Sequence, residues 1–398
     1  MAATQAVETG ISFALTEEQK ALRALAHEFA EKEIRPVAAE YDEHQTHPGD
    51  VIAKAHEVGL MNPHIPEELG GAGLGALEGA LIGEELCWGC AGIATAIVAN
   101  ILGALPMLLA GTEEQRREWL PPLLEEPILC SFALTEPEAG SDVSGIQTTA
   151  VRHGDDYVLN GSKMFITNAG PAAWFIVFAS TDRSAGHRGL TAFVVAADAE
   201  GVTVEKHLDK MGQRATDTSA LGFQDVKVPA ANRLGAEGDG FKIAMRTLDN
   251  TRAGTASGAV GVARAAFEYA VAYSRERTQF GQPIAMNQGV NFLVADMAAE
   301  IEAARLLVWQ AAWLLDQGKR TTLQSSYAKR FAADTAMKVT TDAVQIFGGY
   351  GYIKDFPVEK LMRDAKLFQI YEGTSQIQRL VIAREIFLPR DGTESPGG

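Results

Sequence analysis

Residues 153–168, HGDDYVLNGSKMFITN, carry the β-strand signal that decides the fold of this chain. The dipeptides Gly154-Asp155 and Asn160-Gly161 favour the tight turns of β-hairpins. Runs rich in β-branched and aromatic residues predict strands over residues 148–152, 157–166, 174–180, 191–196, 202–208 and 220–228. Because no helix-length segment separates these strands, we expect an antiparallel sheet, folded as a β-barrel or sandwich.

The segment before this β region is predicted to be helical. Thr16 and Gln19 fit a capping box, and the apolar residues that follow have helical spacing up to Pro36, which we expect to end the helix. Asp50 fits the N-cap of a second helix that ends at Gly59. Further helical patterns cover residues 77–86, 93–109 and 113–124.

The helical pattern returns in longer elements from Gly240 to Leu388. In one of them apolar residues recur every three to four positions, at Leu293, Met297, Ile301, Ala304 and Val308. The predicted fold class is therefore α+β, mainly α. We expect an N-terminal helical domain over residues 1–127, a middle antiparallel β-barrel or sandwich domain over 128–238, and a C-terminal four-helix-bundle domain over 239–398.

The composition of the 398 residues is that of an ordinary globular protein, with 46% apolar and 22% charged residues. The 35 basic and 51 acidic residues give a net charge of −16, which disfavours a general nucleic-acid binder. Three cysteines fit a reducing compartment. Residues 1–11 contain Glu8, and no Lys or Arg precedes Lys20, so we expect no targeting segment and predict a bacterial, cytoplasmic protein.

An uncharged stretch over residues 86–112 is long enough to span a bilayer. It contains several glycines and Pro106 and depends on alanine rather than leucine, so we predict a buried helix pair instead of a membrane span. The tail over residues 392–398 is expected to be frayed.

Three patterns look like ligand sites but lack the context that such sites need. Residues 71–76, GAGLGA, fit GxGxxA but follow no core strand, which disfavours a Rossmann nucleotide site. Cys87 and Cys90 form a CxxC pair, yet Cys130 is the other cysteine, so we predict buried structural cysteines rather than a zinc or redox site. His44 and His47 stand without clustered carboxylates, and we expect no metal site.

Three other segments are compatible with either a ligand-binding site or a purely structural role. Residues 132–142, FALTEPEAGSD, form either a strand end with a capped turn or a site for a polyanionic or heteroaromatic ligand. In FITN at 165–168, the aromatic ring is either core or a shield over a flat cofactor. In RERTQFGQ at 275–282, the two arginines either face solvent at a helix end or meet a pyrophosphate.

A fourth segment, at residues 345–378, includes QIFGGYGY and IYEGTSQIQ. Ser375 and Gln378 fit a capping box for the last helix, which places Glu372 in the turn just before that helix. With Gly373 beside it, the Glu372 carboxylate is either a partner of the helix dipole or a general base in an apolar cleft.

TEPEAGSD at 135–142, FITN at 165–168, RTQFG at 277–281, QIFGGYGY at 345–352 and IYEGTSQIQ at 370–378 together resemble the acyl-CoA dehydrogenase family. The resemblance extends from about Leu15 to Leu388 and agrees with the helical–β–helical order. It implies a flavoenzyme, usually a homotetramer or homodimer, that binds FAD between the β domain and the C-terminal helices.

The resemblance also implies a reaction. A base removes a proton from the α carbon of an acyl-CoA thioester, a hydride passes from the β carbon to flavin N5, and trans-2-enoyl-CoA forms. Glu372 is the expected base, and its backbone N–H and a ribityl hydroxyl of FAD are the expected donors to the thioester oxygen. Some relatives carry the base at the position of Thr251 instead. The electrons are expected to pass to an electron-transfer flavoprotein, and the enzyme is expected to be a homotetramer that acts in fatty acid β-oxidation.

The family's other site residues transfer to this sequence by motif. The expected FAD contacts in the β region are Phe132, Leu134, Thr135, Gly140, Ser141, Phe165, Ile166 and Thr167. The C-terminal helices are expected to bind FAD too, mainly that of a neighbouring subunit. The residues expected to do so are Arg277, Gln279, Phe280, Gln288, Gln345, Ile346, Gly348 and Gly349. Thr374 and Gln376 complete the FAD contacts. The expected substrate contacts are Ser141, Asp249, Arg252, Tyr371 and Gly373.

The chain departs from the family pattern at Glu138, Phe165 and Ala253, where many relatives have glycine, tryptophan and proline. None of these changes removes a catalytic group. Two alternatives remain at this point: an acyl-CoA oxidase that uses oxygen, and a non-catalytic scaffold of the same fold. The resemblance places the floor of the acyl pocket near residues 95–103, and neither acyl length nor branching follows from the sequence.

Overall fold

The computed structural model describes residues 13–388. The predictions made for residues 1–11 and 392–398 lie outside the described residues. The chain is mainly helical, with a sheet region between two helical regions, which confirms the predicted fold class. The two domain boundaries remain predictions.

The N-terminal region is a set of helices joined by short turns. They are α1 (Glu17–Phe29), α2 (Ala38–His44), α3 (Gly49–Glu57), α4 (Ala76–Gly89), α5 (Ala91–Val98), α6 (Asn100–Ala110), α7 (Glu113–Trp119) and α8 (Pro122–Glu125). The capping box of Thr16 and Gln19 is confirmed at the start of α1. Two predictions were wrong: helical backbone continues past Pro36, and Asp50 does not cap α3.

Both corrections concern the first turn of a helix. Pro36 lies in a 3₁₀ turn at Arg35–Val37, reached from α1 through a π-helical turn at Ala30–Ile34. A proline early in a helical turn forfeits no hydrogen bond, because that N–H has no partner in the helix. The N-cap of α3 is Pro48, and Asp50 lies in the first turn, where its charge complements the helix dipole.

The predicted helix over residues 93–109 is two helices, α5 and α6, divided at Ala99. Within residues 13–388, the segment Ala91–Ala110 is long and apolar enough to cross a membrane by length and composition alone, and 56% of that window is buried in the molecule. Part of the remaining surface faces an internal cavity rather than the outside. The segment therefore serves as a core helix pair here, as expected.

The middle region is an eight-stranded sheet, in which six strands match the predicted ones. Its strands are β1 (Leu129–Ala133), β2 (Thr149–His153), β3 (Asp156–Thr167), β4 (Ala172–Ser180), β5 (Leu190–Ala196), β6 (Val202–His207), β7 (Thr218–Pro229) and β8 (Arg233–Leu234). The path runs β6-β7-β3-β2-β4-β5-β8, and β1 pairs with β4.

The expectation of an antiparallel sheet is right for most pairs and wrong for two. β1 runs parallel to β4, and β2 meets β4 in a single parallel pair, Thr149 with Ser180. The β2–β3 hairpin provides the long connection that parallel strands need, so no crossover helix is required. β4 is buried on both faces: Ile176 and Phe178 pack towards α6 and the later helix α9 (Gly240–Glu276), while Phe175 and Val177 pack inside the sheet region.

The C-terminal region contains α9, α10 (Gln288–Asp316), α11 (Thr322–Phe347), α12 (Val358–Phe368) and α13 (Ser375–Phe387). A short hairpin, β9 (Thr278–Gln279) and β10 (Gln282–Pro283), joins α9 to α10. The predicted stripe on α10 is confirmed, with Met297, Ile301, Ala304 and Val308 buried. One hydrophobic cluster includes residues of both helical regions, so they share a core.

Glycines allow α4 and α9 to pack closely. A Cβ added at Gly261 would lie 2.1 Å from the carbonyl oxygen of Glu84, and one added at Gly258 would lie 2.8 Å from Sγ of Cys87. At Gly254, on the same helix, an added Cβ would meet no atom within 4 Å. Gly261 is therefore required by packing, whereas Gly254 is not.

We expect Gly261→Ala to lower the free energy of unfolding by about 1–3 kcal/mol, because the methyl group collides with the α4 backbone. The matched control, Gly254→Ala, should leave stability unchanged or raise it by up to about 1 kcal/mol, because alanine favours the helix. Denaturant titrations of both variants measure the two values. Equal stabilities would contradict the packing role of Gly261.

Candidate active site

A cavity of about 550 Å³ lies where the three regions of the chain meet. Helices α4, α5, α6 and α9 form its walls, together with the ends of β1 and β3 and the turn before α13. The predicted site residues that line it are Phe132, Leu134, Thr135, Gly140, Ser141, Phe165, Ile166, Thr167, Arg252, Tyr371, Glu372 and Gly373. Three segments that are far apart in sequence thus contribute to one cavity.

Glu372 lies in a left-handed turn directly before α13, with φ of 51°, and Gly373 follows with φ of 88°. The predicted capping box was wrong: the N-cap is Thr374, whose Oγ1 accepts a hydrogen bond from the Ile377 N–H. The Ser375 hydroxyl donates to Asp334 instead, at 2.9 Å.

The turn is held by side chains that meet its carbonyl groups. Gln378 donates from Nε2 to the carbonyl oxygens of Glu372 and Gly373, each at 3.2 Å. Lys329, fully buried on α11, donates from Nζ to the Gly373 carbonyl at 2.5 Å. The Glu372 N–H donates to no acceptor within residues 13–388. The contacts of Gln378 and Lys329 hold the backbone of the turn that carries Glu372.

The surroundings of Glu372 affect its pKa in opposite directions. Burial raises the pKa above its ordinary value, because the charged carboxylate loses hydration. The hydroxyls of Thr255 and Thr251, followed by the charges of Lys329 and Arg252, lower it. Thr251 donates from Oγ1 to the Glu372 carboxylate at 2.8 Å. Because burial outweighs the other effects, the pKa of Glu372 is raised.

Sequence reasoning missed Lys329. Burial lowers its pKa to about 8, while the nearby charge of Glu372 acts in the opposite direction. Its sequence signal was a lysine on the apolar stripe of α11, next to the buried Ala328 and one turn before Ala332 and Ala333. Such a lysine needs a specific partner when it is buried.

The ends of β1 and β3 line the same cavity as Glu372. Phe165 lies in a β-bulge of β3, where the register with β7 shifts between Lys163 and Ile166. Its φ of 61° turns the aromatic ring away from the sheet core, and 65% of the residue is exposed where it lines the cavity. Thr135 and Thr167 line the same wall. An aromatic face and two hydroxyls are therefore offered to a ligand.

The residues of this wall fit a flat heteroaromatic cofactor such as FAD. An added Cβ at Gly140 would meet no atom within 4 Å, so the turn leaves room for a ligand to approach the backbone. Arg252 also lines the cavity, is 4% exposed, and its Nε has no partner among the described residues. An unpaired buried guanidinium N–H is expected to have a ligand as its partner.

Asp249 does not line the cavity, although it was predicted to touch the substrate. Its carboxylate accepts hydrogen bonds from Arg252 and, at 2.8 Å, from Thr322 at the start of α11. In this structure Asp249 therefore orients Arg252.

The remaining predicted FAD residues lie outside the cavity. Phe280, at the tip of the β9–β10 hairpin, is 97% exposed. The Arg277 guanidinium lies 5.7 Å from the ring centroid of Tyr350, so the hairpin and the turn after α11 are neighbours. The residues in this second group are Arg277, Gln279, Phe280, Gln288, Gln345, Ile346, Gly348 and Gly349, with Thr374 and Gln376 at the start of α13. Their assignment to the FAD of a neighbouring subunit remains a prediction.

Two further predictions concern the cavity and the cysteines. Val98, Ala99 and Leu102, expected at the acyl pocket floor, line the cavity. Cys87, Cys90 and Cys130 are free and buried, as predicted. In the described part of the chain, no group of three or more His, Cys, Asp or Glu residues could hold a metal ion.

Comparison with known proteins gives matches over nearly the whole described chain. Three family models match: "Acyl-CoA dehydrogenase, N-terminal domain" at residues 16–127, "middle domain" at 131–226 and "C-terminal domain" at 238–387. A relative from Clostridium acetobutylicum, named "Acyl-CoA dehydrogenase, short-chain specific", is 46% identical over 380 residues, covering 95% of this chain and 100% of that protein.

Two solved structures are similar over nearly the full chain. Butyryl-CoA dehydrogenase from Megasphaera elsdenii has a TM-score of 0.92 at 47% identity, covering 94% of this chain and 99% of that one. A structure described as "Electron transferring flavoprotein of Acidaminococcus fermentans" contains a chain with a TM-score of 0.93 at 47% identity, covering 95% and 100%. With the cavity and its flavin-compatible wall, these matches show that the chain belongs to the acyl-CoA dehydrogenase family of FAD-dependent oxidoreductases.

Proposed function

We propose that this acyl-CoA dehydrogenase removes one hydrogen from each of the α and β carbons of a saturated acyl-CoA thioester, forming the trans-2-enoyl-CoA. The observation that carries the proposal is the position of Glu372. Glu372 lines the same cavity as Phe165 and Thr135, so an acyl chain bound there has a base beside it. Phe165, Thr135 and Thr167 would hold FAD, which would supply the acceptor for the hydride of the β carbon.

Glu372 takes the α proton in this proposal. The raised pKa makes its carboxylate a stronger base than an exposed glutamate, and substrate entry removes water and strengthens this effect. The free N–H of Glu372 is placed to donate to the thioester oxygen, where negative charge develops as the proton leaves. One residue then supplies both the base and an oxyanion donor.

The left-handed turn makes this double role possible. The backbone of Glu372 has a φ of 51°, and we propose that this conformation directs both its N–H and its side chain towards the cavity. Lys329 and Gln378 hold the turn through its carbonyls, and Thr251 holds the carboxylate. The neighbouring Arg252 is a cation for the anionic parts of CoA or the developing enolate.

The substrate class and partners complete the proposal. The apolar lining by Val98, Ala99 and Leu102 suits an unbranched acyl chain, and two similar proteins are named short-chain specific or butyryl-CoA dehydrogenase. We propose an electron-transfer flavoprotein as electron acceptor, supported by the similar chain in the Acidaminococcus fermentans structure. We further propose a cytoplasmic homotetramer that acts in fatty acid β-oxidation, with FAD completed by a neighbouring subunit's 277–281 and 345–349 segments.

Glu372→Gln should leave FAD binding intact and slow anaerobic bleaching of the flavin by butyryl-CoA or octanoyl-CoA by about 10²–10⁴-fold, because the general base is lost. Stopped-flow absorbance measures the rate. Dithionite should still reduce the variant, which controls for an intact flavin site. Bleaching at the parent rate would remove Glu372 from the mechanism.

Thr251→Val should shift the rising limb of the bleaching rate against pH upwards by about one pH unit. The hydroxyl stabilises the charged carboxylate, so its loss raises the pKa of Glu372, and the active, ionised base then forms only at higher pH. Thr247→Val is the matched control, because that hydroxyl donates within α9 to Ile243 and lies outside the cavity. A shift to lower pH in Thr251→Val would contradict this assignment.

With oxygen as sole acceptor, steady-state turnover of acyl-CoA should be slow, and adding an electron-transfer flavoprotein with a terminal dye should accelerate it at least about tenfold. Oxygen uptake and dye reduction measure the two rates. Fast turnover with oxygen alone would identify an acyl-CoA oxidase, while a colourless protein that does not bind FAD would identify a scaffold.

A further inference from the structure

A buried ion pair lies directly behind the flavin-facing wall. Glu136 is 5% exposed and Lys163 is 0% exposed, and Lys163 Nζ lies 2.8 Å from the Glu136 carboxylate. Neither residue lines the cavity, but their neighbours Thr135 and Phe165 do. The pair therefore joins the two segments that form this wall.

Each member of the pair is also bound to the backbone of another segment. Glu136 accepts hydrogen bonds from the N–H groups of Gln147 at 2.6 Å and Thr148 at 3.0 Å. Lys163 donates to the carbonyl of Leu134 at 3.1 Å. The Met164 N–H donates to the Thr135 carbonyl at 2.9 Å. The turn after β1, the start of β2 and the bulge of β3 are thereby held at fixed separations.

The ion pair affects the position of Phe165, because Lys163 lies directly before the bulge that contains Phe165. The register between β3 and β7 shifts between Lys163 and Ile166, so Lys163 is the last regularly paired residue before the bulge. Its inward side chain is anchored to the Thr135 turn, while Phe165, two residues later, points into the cavity. A bulge re-aims a side chain, and an anchor beside it fixes the direction.

We propose that the Glu136–Lys163 ion pair is the positioning device of the flavin site, setting the spacing between the Thr135 turn and the Phe165 bulge. Both are positioning residues, since they act through neighbours and do not touch the cavity. The inference rests on the proposed placement of the flavin against this wall. Buried ion pairs add little net stability relative to apolar pairs, so a role in geometry accounts for their presence here.

The control residue is Tyr157, on the same strand β3 but about 20 Å from Lys163 along it. Tyr157 is fully buried, and its hydroxyl bonds to Glu237 and accepts from Arg233 at 3.0 Å. Tyr157→Phe therefore removes a buried polar contact of the same sheet without touching the wall of the cavity. It separates a loss of general sheet stability from a change at the flavin.

The experiment compares Lys163→Met, the double variant E136Q/K163M and Tyr157→Phe, purified and reloaded with FAD. In Lys163→Met, Glu136 keeps its two backbone donors, and in the double variant no charge is left buried. FAD dissociation constants, the visible absorption bands of bound FAD and its midpoint potential are measured, with thermal unfolding alongside.

We expect both pair variants to bind FAD about tenfold more weakly and to show shifted absorption bands and potential, while Tyr157→Phe changes thermal unfolding alone. Parent-like FAD affinity, bands and potential in the folded double variant would overturn the proposal. These readouts do not need acyl-CoA. If acyl-CoA fails to bleach the parent protein, the proposed function fails, whereas the FAD measurements still decide the role of the ion pair.

Discussion

The close contact of α4 with α9 is the constraint on which the rest of the structure depends. Helix α9 carries Thr251 and Arg252, and α4 also lines the cavity. The contact needs glycine at Gly258 and Gly261. Ion pairs also hold the contact. Arg264 of α9 pairs with both Glu84 and Glu85 of α4. Glu84 also pairs with Arg305 of α10, and Glu85 with Arg23 of α1. A buried network of this kind pairs only in one arrangement, so it fixes how four helices meet.

The cavity is a consequence of that arrangement. Gly254 on α9 and Gly79 on α4 line it, and an added Cβ at either position would meet no atom within 4 Å. Glycine inside a helix costs about 0.5–1 kcal/mol relative to alanine, and neither residue has a packing contact that offsets this cost. The same two helices therefore use some glycines to come together and others to keep space open. The sheet then closes the space by presenting the ends of β1 and β3.

Local sequence patterns were sufficient for much of this fold and for many of the residues around the cavity. The six strands of the middle region, the α1 capping box and the stripe on α10 follow from short-range rules, and motifs of the family named twelve residues that line the cavity. The parallel pairing of β1 with β4 did not follow, because it joins residues about forty positions apart. The cap of α13 did not follow either: both Thr374 and Ser375 can cap a helix, and Asp334, from α11, takes the Ser375 hydroxyl. Lys329 was missed for the same reason, since its partner Gly373 is distant in sequence.

The electrostatics of the site cannot be inferred from the net charge of −16. That surplus of acid disfavours polyanionic partners in general, yet the cavity brings Arg252 and Lys329 near Glu372. Burial raises the pKa of Glu372, while the hydroxyls of Thr255 and Thr251, followed by these two cations, lower it, and burial dominates. A base needs both effects. Burial makes the carboxylate a stronger base, while the hydroxyls and cations favour its ionised form. The left-handed turn places Glu372 where the two influences oppose each other, and the cations come from two helices, Arg252 from α9 and Lys329 from α11.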